Sequence, residues 1–234
     1  MSDLKPFLSF FGAKWYHARR YPAPVHDVVV EPFAGSAGYS VRHGVREAVL
    51  VERDPTIAGV WRLLIDATPD AIRSLPDLPE GATVDDLDVP VAARHLIGFW
   101  LNKGVSRPRR SLSSWARDPR YSSQFWGPKI RDRIAAQVGA IKGWHVIEGD
   151  YTNAPDIEAT WFVDPPYVNQ GKHYRFNDID YNHLGGWTRE RRGQAVVCEQ
   201  EGADWLPFHS AFPAKATTKT GGGDAWSSEA VWTS

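Results

Sequence analysis

Asp164, Pro165, Pro166 and Tyr167 follow directly on the apolar run Trp161-Phe162-Val163. Three apolar residues in a row read as a short buried strand. Two consecutive prolines cannot donate to a sheet ladder, so the strand must stop there. Pro165 also biases Asp164 towards an extended backbone. A carboxylate, two backbone carbonyls and an aromatic ring are thereby held stiffly at a strand's carboxyl end, the edge at which open α/β sheets bind ligands. The chemistry this suits is acceptance of an exocyclic amine. The Asp164 carboxylate and the Pro165 carbonyl can each take one hydrogen bond from an NH2 group, which turns the nitrogen lone pair out of the base plane, while Tyr167 offers a flat face for stacking. The plain alternative is a proline-stiffened turn with no chemistry.

Four other places carry residues of the right kind. Glu31-Pro32-Phe33-Ala34-Gly35-Ser36-Ala37-Gly38 follows the β-branched run Val28-Val29-Val30 and leads into a helical stretch. A small-residue loop between a buried strand and a helix is the nucleotide-binding turn of α/β folds. No Gly-Lys-Ser/Thr follows and the dinucleotide spacing is absent, so the ligand expected is nucleoside-like rather than a triphosphate. Glu52-Arg53 ends a second strand, about 15 to 20 residues past the glycine loop, where an acid commonly holds ribose hydroxyls; a strand-end acid without function reads equally well. Asp150 can accept from an adenine amino group, with the Tyr151 N–H donating to the ring, or it is a turn aspartate. Lys14 follows Phe10-Phe11-Gly12-Ala13 and can reach an anion such as a carboxylate, or is a surface lysine after a turn.

The elements that must position these residues alternate between types. Strands are expected at 28–30, 48–51, 144–147, 161–163, 194–198 and 229–232, the last closing the sheet as a hairpin after a turn at Gly221-Gly222-Gly223. Helices are expected after Lys14 as far as Arg20, and over 55–67, 91–101 and 129–141. Residues 68–90, rich in Pro, Asp and Glu, read as a connector leading out of the core, and 168–187 as a polar, aromatic loop over the site. The chain of 234 residues suits one large domain, or one domain with an insert. A single cysteine, Cys198, excludes a disulfide framework and a cysteine zinc site, and a buried inert thiol is expected there. No metal-ligand cluster is visible. No apolar run is long enough to span a membrane and the amino terminus lacks a signal-peptide pattern, so a cytoplasmic protein is expected.

A formal net charge of −1 excludes polyanion binding by bulk charge. The charge is unevenly spread. Residues 103–133 hold nine basic residues and two acids, a balance of +7, which leaves −8 on the rest of the chain. Among them, Lys103, Arg107, Arg109, Arg110, Arg117 and Arg120 are interleaved with Trp115, Tyr121, Phe125 and Trp126 and with serines. Cations, aromatics and hydroxyls together suit a segment that grips phosphates and reads bases. The alternative is a solvated basic face.

Phe10-Phe11-Gly12-Ala13-Lys14, the Glu31–Gly38 loop and Asp164-Pro165-Pro166-Tyr167, in that order, resemble the motifs of the Dam-like DNA adenine methyltransferases, over most of the chain. The first loop has Gly-Ala-Lys where that family often has Gly-Gly-Lys, and the basic insert matches only in position and charge. The resemblance implies an α/β, Rossmann-like class I methyltransferase sheet with a small, mainly helical target-recognition insert. Residues 1–67 and 134–234 would form the catalytic domain, and 68–133 the linker and insert. It implies S-adenosylmethionine as cofactor, with Lys14 on its carboxylate beside Phe10 and Phe11. Glu31, Pro32, Phe33, Gly35, Ser36 and Ala37 would pass under its methionine portion, Glu52 and Arg53 would lie by the ribose, and Asp150 and Tyr151 by the adenine, with Asp164 adjoining. Double-stranded DNA would be the partner, gripped by Lys103, Arg107, Arg109, Arg110, Arg117, Arg120 and Tyr121, with the target adenine flipped onto Tyr167. The sequence leaves the oligomeric state open, with a monomer slightly favoured. Other readings keep the fold with another acceptor (cytosine N4, RNA or another amine), or make the chain a non-catalytic nucleic-acid-binding module or a nicotinamide enzyme.

Overall fold

The computed structural model describes residues 4–169, 171, 174–215 and 226–234, with backbone alone at 214, 215, 226 and 227. The expected turn at Gly221-Gly222-Gly223 lies outside the described residues. Seven strands form one sheet: β1 Val28–Glu31, β2 Glu47–Glu52, β3 Trp144–Glu148, β4 Ala159–Val163, β5 Gly193–Gln200, β6 His209–Lys215 and β7 Trp226–Thr233, in the order β3-β2-β1-β4-β5-β7-β6. The first five are parallel, in registers such as Val30 beside Val49 and Trp161, and Val163 beside Val197. β7 runs antiparallel to both β5 and β6, with a bulge between Ser210 and Phe212. The molecule is thus a mixed α/β protein with a seven-stranded, mostly parallel, Rossmann-like sheet.

Parallel strands buried on both faces read as continuous apolar runs, and these strands alternate their side chains between two cores. Val30, Val49, Val51, Trp161, Val163, Ala195 and Val197 pack on one face with Leu184 and Trp205. Val29, Phe162, Val196 and Cys198 face the other way, against Tyr21, Tyr39 and Phe212. Leu50 and Ala48 join a larger cluster with Phe7, Trp61, Leu64, Phe99, Trp100 and Trp144. Each large side chain fully withdrawn from water there contributes about 1.5–3 kcal/mol. Among the described residues, no helix is long and apolar enough to cross a membrane.

Helices cover the sheet as their periodicity dictates. α1 is Gly38–His43. α2, Pro55–Asp66, starts where the Asp54 carboxylate accepts the Thr56 N–H at 2.9 Å and Pro55 takes the first helical position; it buries Ile57, Val60, Trp61 and Leu64. α3 (Pro69–Arg73), α4 (Val91–Phe99) and α5 (Pro128–Ala135) follow, then α6 (Tyr181–Arg189). Three expectations need correction. Beyond Lys14 there is no continuous helix but two 3-10 turns, Lys14–Tyr16 and Ala18–Arg20. The 68–90 stretch does not lead away from the core, because Ile72, Val84 and Leu87 are buried in the cluster that holds Trp61 and Trp144. The second half of the supposed loop 168–187 is helix α6, capped by Asp180, whose carboxylate accepts the His183 N–H.

Candidate functional site

The sheet order reverses direction between β1 and β4, and that switch point opens a crevice at the strands' carboxyl ends. A cleft of about 870 Å³, counting space open to solvent, occupies this edge. Phe10, Phe11, Lys14, Glu31, Pro32, Phe33, Gly35, Ser36, Glu52, Arg53, Asp150, Tyr151, Asp164 and Pro166 all line it. Residues up to 169 positions apart in the chain, Phe10 and Ile179, meet on one surface.

The glycine loop is built by its own backbone. Gly35 and Ala37 have positive φ, 46° and 47°, and the Ala37 N–H closes a turn on the Ala34 carbonyl at 2.6 Å. The Trp61 indole in α2 donates to the Gly35 carbonyl at 2.8 Å and pins the loop from behind. Ala37 is fully buried there and does not line the cleft, so its expected contact with a ligand is withdrawn; it shapes the turn. Gly38 has a use the sequence reading did not foresee. A Cβ at Gly38 would lie 2.7 Å from the Trp15 nitrogen and 3.0 Å from that of Lys14. The close approach it permits is by the chain's own 14–16 turn, which is how Lys14 comes to lie over the sheet edge.

Lys14 has a different partner from the one expected. Its ammonium sits 2.9 Å from Asp164 Oδ1, 3.9 Å from Glu229 Oε2 and 4.5 Å above the centre of the Tyr167 ring. Burial opposes the Lys14 charge, but Asp164 and Glu229 outweigh it and hold the ammonium's pKa well above its usual value. Burial pushes Asp164 above the ordinary carboxylate range, while the Lys14 ammonium pulls it back. Tyr167 does not present a bare stacking face: Lys14 covers one side, and its hydroxyl donates to Glu229 Oε2 at 2.5 Å. The corner is braced behind, where the Tyr181 hydroxyl donates to the Pro166 carbonyl at 2.6 Å and the Gly171 N–H to the Tyr167 carbonyl at 2.7 Å.

On the β2 side, Glu52 accepts the Gly35 N–H and the Asp54 N–H, one on each oxygen, both at 2.8 Å. Each oxygen keeps a lone pair for a further donor, the requirement for a diol. Burial raises Glu52 to about 7 against those two hydrogen bonds. Glu31 accepts the Ser40 N–H of α1, and burial takes it to about 8. Asp150 spends part of its acceptor capacity on the Thr152 N–H, capping the 3-10 turn Tyr151–Asn153. The Tyr151 ring packs on Phe33, and its hydroxyl lies 2.6 Å from His183 Nδ1.

Several lining residues were not foreseen. Ile57 and Asp54 come from the start of α2, and Ser106 from the basic stretch. By contrast, Tyr174, Arg175, Phe176 and Ile179 belong to the 168–187 stretch expected over the site, and form a wall beyond the proline corner. Tyr174 stands over Gly12, where a Cβ would fall 2.2 Å from its hydroxyl, and packs edge-on to Phe11. Arg53 binds Asp178 with both guanidinium arms, at 2.6 and 3.1 Å, and Phe176 lies under Arg53 and Arg175.

The basic stretch begins at the cleft mouth. The Phe11 N–H donates to the Val105 carbonyl at 3.1 Å, and the Val105 N–H to the Ser9 carbonyl at 3.3 Å. Lys103 caps an aromatic group, its ammonium 5.0 Å from the Trp115 ring centre and 6.0 Å from that of Phe125; Tyr121 packs on Trp115 as well. Part of the charge is answered locally. Arg110 pairs with Asp85, Arg120 with Asp118 and Arg131 with Asp77, and Arg117 donates to the Leu112 carbonyl. Arg107 and Arg109 are exposed, without an ion-pairing acid among the described residues. The 68–133 segment has no core of its own: Trp100, Val105, Trp126 and Ile130 bury with Leu50 and Trp61.

No protein-family model matches the chain. No curated protein matches it in sequence. One similar solved structure is a conserved hypothetical protein of Streptococcus pyogenes, 12% identical, with 87% of this chain and 84% of that one covered at a TM-score of 0.36. So loose an overlap bears on neither fold nor activity.

Proposed function

We propose that this protein is a DNA methyltransferase that uses S-adenosylmethionine and acts on the N6 amine of a flipped-out adenine. The observation that carries the reading is the convergence of Asp164, the glycine loop and Glu52 on one cleft at the switch point of the sheet. Further support comes from the strand order. An antiparallel β7 between β5 and β6 departs from the all-parallel dinucleotide sheet, as the resemblance to methyltransferases implies.

The donor set fits the cofactor. Glu52 keeps free lone pairs for ribose hydroxyls, Phe33 and Ile57 give an apolar wall, and Asp150 remains an acceptor at the far end. When bound, S-adenosylmethionine supplies an activated methyl group. The chain's own work is then to hold an amine. Asp164 and the Pro165 carbonyl each accept one hydrogen bond from it, the prolines fix their spacing, and the Lys14 ammonium opposes the burial that raises Asp164. Positioning of this kind can contribute about 7–11 kcal/mol to a barrier.

Calorimetry with S-adenosylmethionine, followed by transfer of a labelled methyl group to duplexes with and without adenine, tests the reading. Binding and adenine-dependent labelling are expected; no binding would remove it. A second reading changes the acceptor to an amine outside nucleic acid. It is favoured by Asp77, Asp85 and Asp118, which neutralise part of the basic stretch. Charge reversal separates the two. Arg107→Glu with Arg109→Glu is expected to weaken duplex binding about tenfold or more and to lower the salt slope by about two contacts' worth. Unchanged binding in a salt titration would take the duplex-gripping role from this stretch.

A further inference from the structure

We infer that Glu229 is a positioning residue of this site, holding the Lys14 ammonium and the Tyr167 phenol so that Asp164 is fixed and charged; the inference rests on the proposed methyl transfer. Glu229 lies on β7, beside Gln200 of β5 and Phe212 of β6. Because β7 runs against the parallel strands, it brings Glu229 level with the carboxyl end of β5. No local sequence signal marks it, since Glu229-Ala230-Val231-Trp232 reads simply as a strand.

The carboxylate is almost fully buried, and one oxygen does most of the bonding. Oε2 accepts the Tyr167 hydroxyl at 2.5 Å and the Tyr21 hydroxyl at 2.8 Å, and lies 3.9 Å from Lys14 Nζ. A buried carboxylate is costly unless it is paired and hydrogen-bonded, and here all of its partners lead to the acidic corner. Lys14 thus sits between two carboxylates, 2.9 Å from one and 3.9 Å from the other. Two phenols on one oxygen set the tilt of Tyr167, and with it the face on which Lys14 rests. The titratable groups gathered around Glu229 are Lys14 in the first 3-10 turn and His17 just after it, Tyr21, Asp164 and Tyr167 after β4, Tyr174, and Cys198 on β5.

Two substitutions separate charge from anchoring. Glu229→Gln keeps an oxygen for both phenols and removes the charge. Glu229→Ala removes both. Loss of a negative charge lowers the pKa of every neighbour, so the pH–rate profile of Glu229→Gln on the adenine duplex methylated by the wild type is expected to move at least half a unit to lower pH on both limbs. Glu229→Ala is expected to lose about 10²-fold in kcat with KM for the duplex unchanged, the scale of a misplacement near 1 Å. Folded variants with wild-type kcat and an unmoved profile would overturn the inference. If Glu229→Ala does not fold, Glu229→Gln alone decides. If the wild type methylates no acceptor, the proposed function has failed on its own account. Glu229 is then judged by the Lys14 ¹⁵Nζ resonance near pH 7 in ¹⁵N-lysine-labelled protein, assigned with Lys14→Arg. A resonance displaced in Glu229→Gln, as loss of the carboxylate 3.9 Å away requires, supports it, and an unmoved one overturns it.

Discussion

Replacing Asp164 with alanine is expected to abolish methyl transfer, with a loss of at least about 10²–10⁴-fold in kcat, while affinity for duplex DNA stays level or rises slightly. The rate effect follows from the proline corner. Asp164→Ala removes the carboxylate, so only the Pro165 carbonyl is left to accept a hydrogen bond from the amine, and a single acceptor does not turn the nitrogen lone pair out of the base plane. The affinity effect follows from charge: Asp164 is an acid in the cleft floor, not a cation on the basic stretch, so its loss removes repulsion of phosphates. Lys14 keeps Glu229 as a countercharge in this variant, so the protein is expected to fold. Asp164→Asn retains an acceptor oxygen of similar size and is expected to fall between the two. Single-turnover transfer beside an equilibrium binding assay checks all three. Near-normal transfer by Asp164→Ala would remove the mechanism.

What could be read from the chain before folding was what is written locally. β1 to β5 are short apolar runs because both faces of a parallel sheet are covered, and each run is bounded by turn residues. The long helix over 55–67 shows its buried face in Ile57, Val60, Trp61 and Leu64. The loop at Glu31–Gly38 and the Asp164–Tyr167 corner are contiguous motifs, and both contribute to the same cleft, the corner through Asp164 and Pro166 but not Pro165 or Tyr167. What was missed depended on contacts between distant segments. α6 hid behind two adjacent glycines. Yet a Cβ at Gly185 would lie 2.8 Å from the Trp205 carbonyl, so that glycine admits a neighbouring segment rather than breaking a helix. Residues 68–90 lacked periodicity because they bury single residues from short turns, not one helical stripe. The partners of Lys14 lie 150 and 215 positions away, and no spacing rule connects them. The insert's charge was legible, but its neutralisation by Asp77 and Asp85 required knowing that the preceding acidic stretch folds back onto it.

Lys14→Met is expected to destabilise the fold by about 3–5 kcal/mol near pH 8, the cost of leaving a buried charge without its partner, and by much less near pH 5. Methionine nearly matches the lysine stem in volume, so packing adds little. The pH dependence follows from linkage. Without the ammonium, nothing offsets the burial and the nearby Glu229 carboxylate that raise the Asp164 pKa. A carboxyl whose pKa is raised in the folded state binds more protons folded than unfolded, so stability falls as pH climbs from the unfolded value near 4 towards the raised one. The wild-type ion pair behaves in the opposite region. The Lys14 pKa is raised from about 10.5, so its contribution is complete below that value and is lost only at more alkaline pH. Urea unfolding at pH 5 and pH 8 therefore separates the variant from the wild type, and equal penalties at both would show that Lys14 is not the countercharge of this corner. The same variant divides two roles for the lysine. If Lys14 gripped the cofactor's carboxylate, as the family resemblance implies, S-adenosylmethionine would bind at least tenfold more weakly. With Lys14 committed to Asp164 at 2.9 Å, the expected result is a near-normal Kd for S-adenosylmethionine with a large fall in kcat, because the residue that must stay ionised to receive the amine has lost the charge that keeps it so.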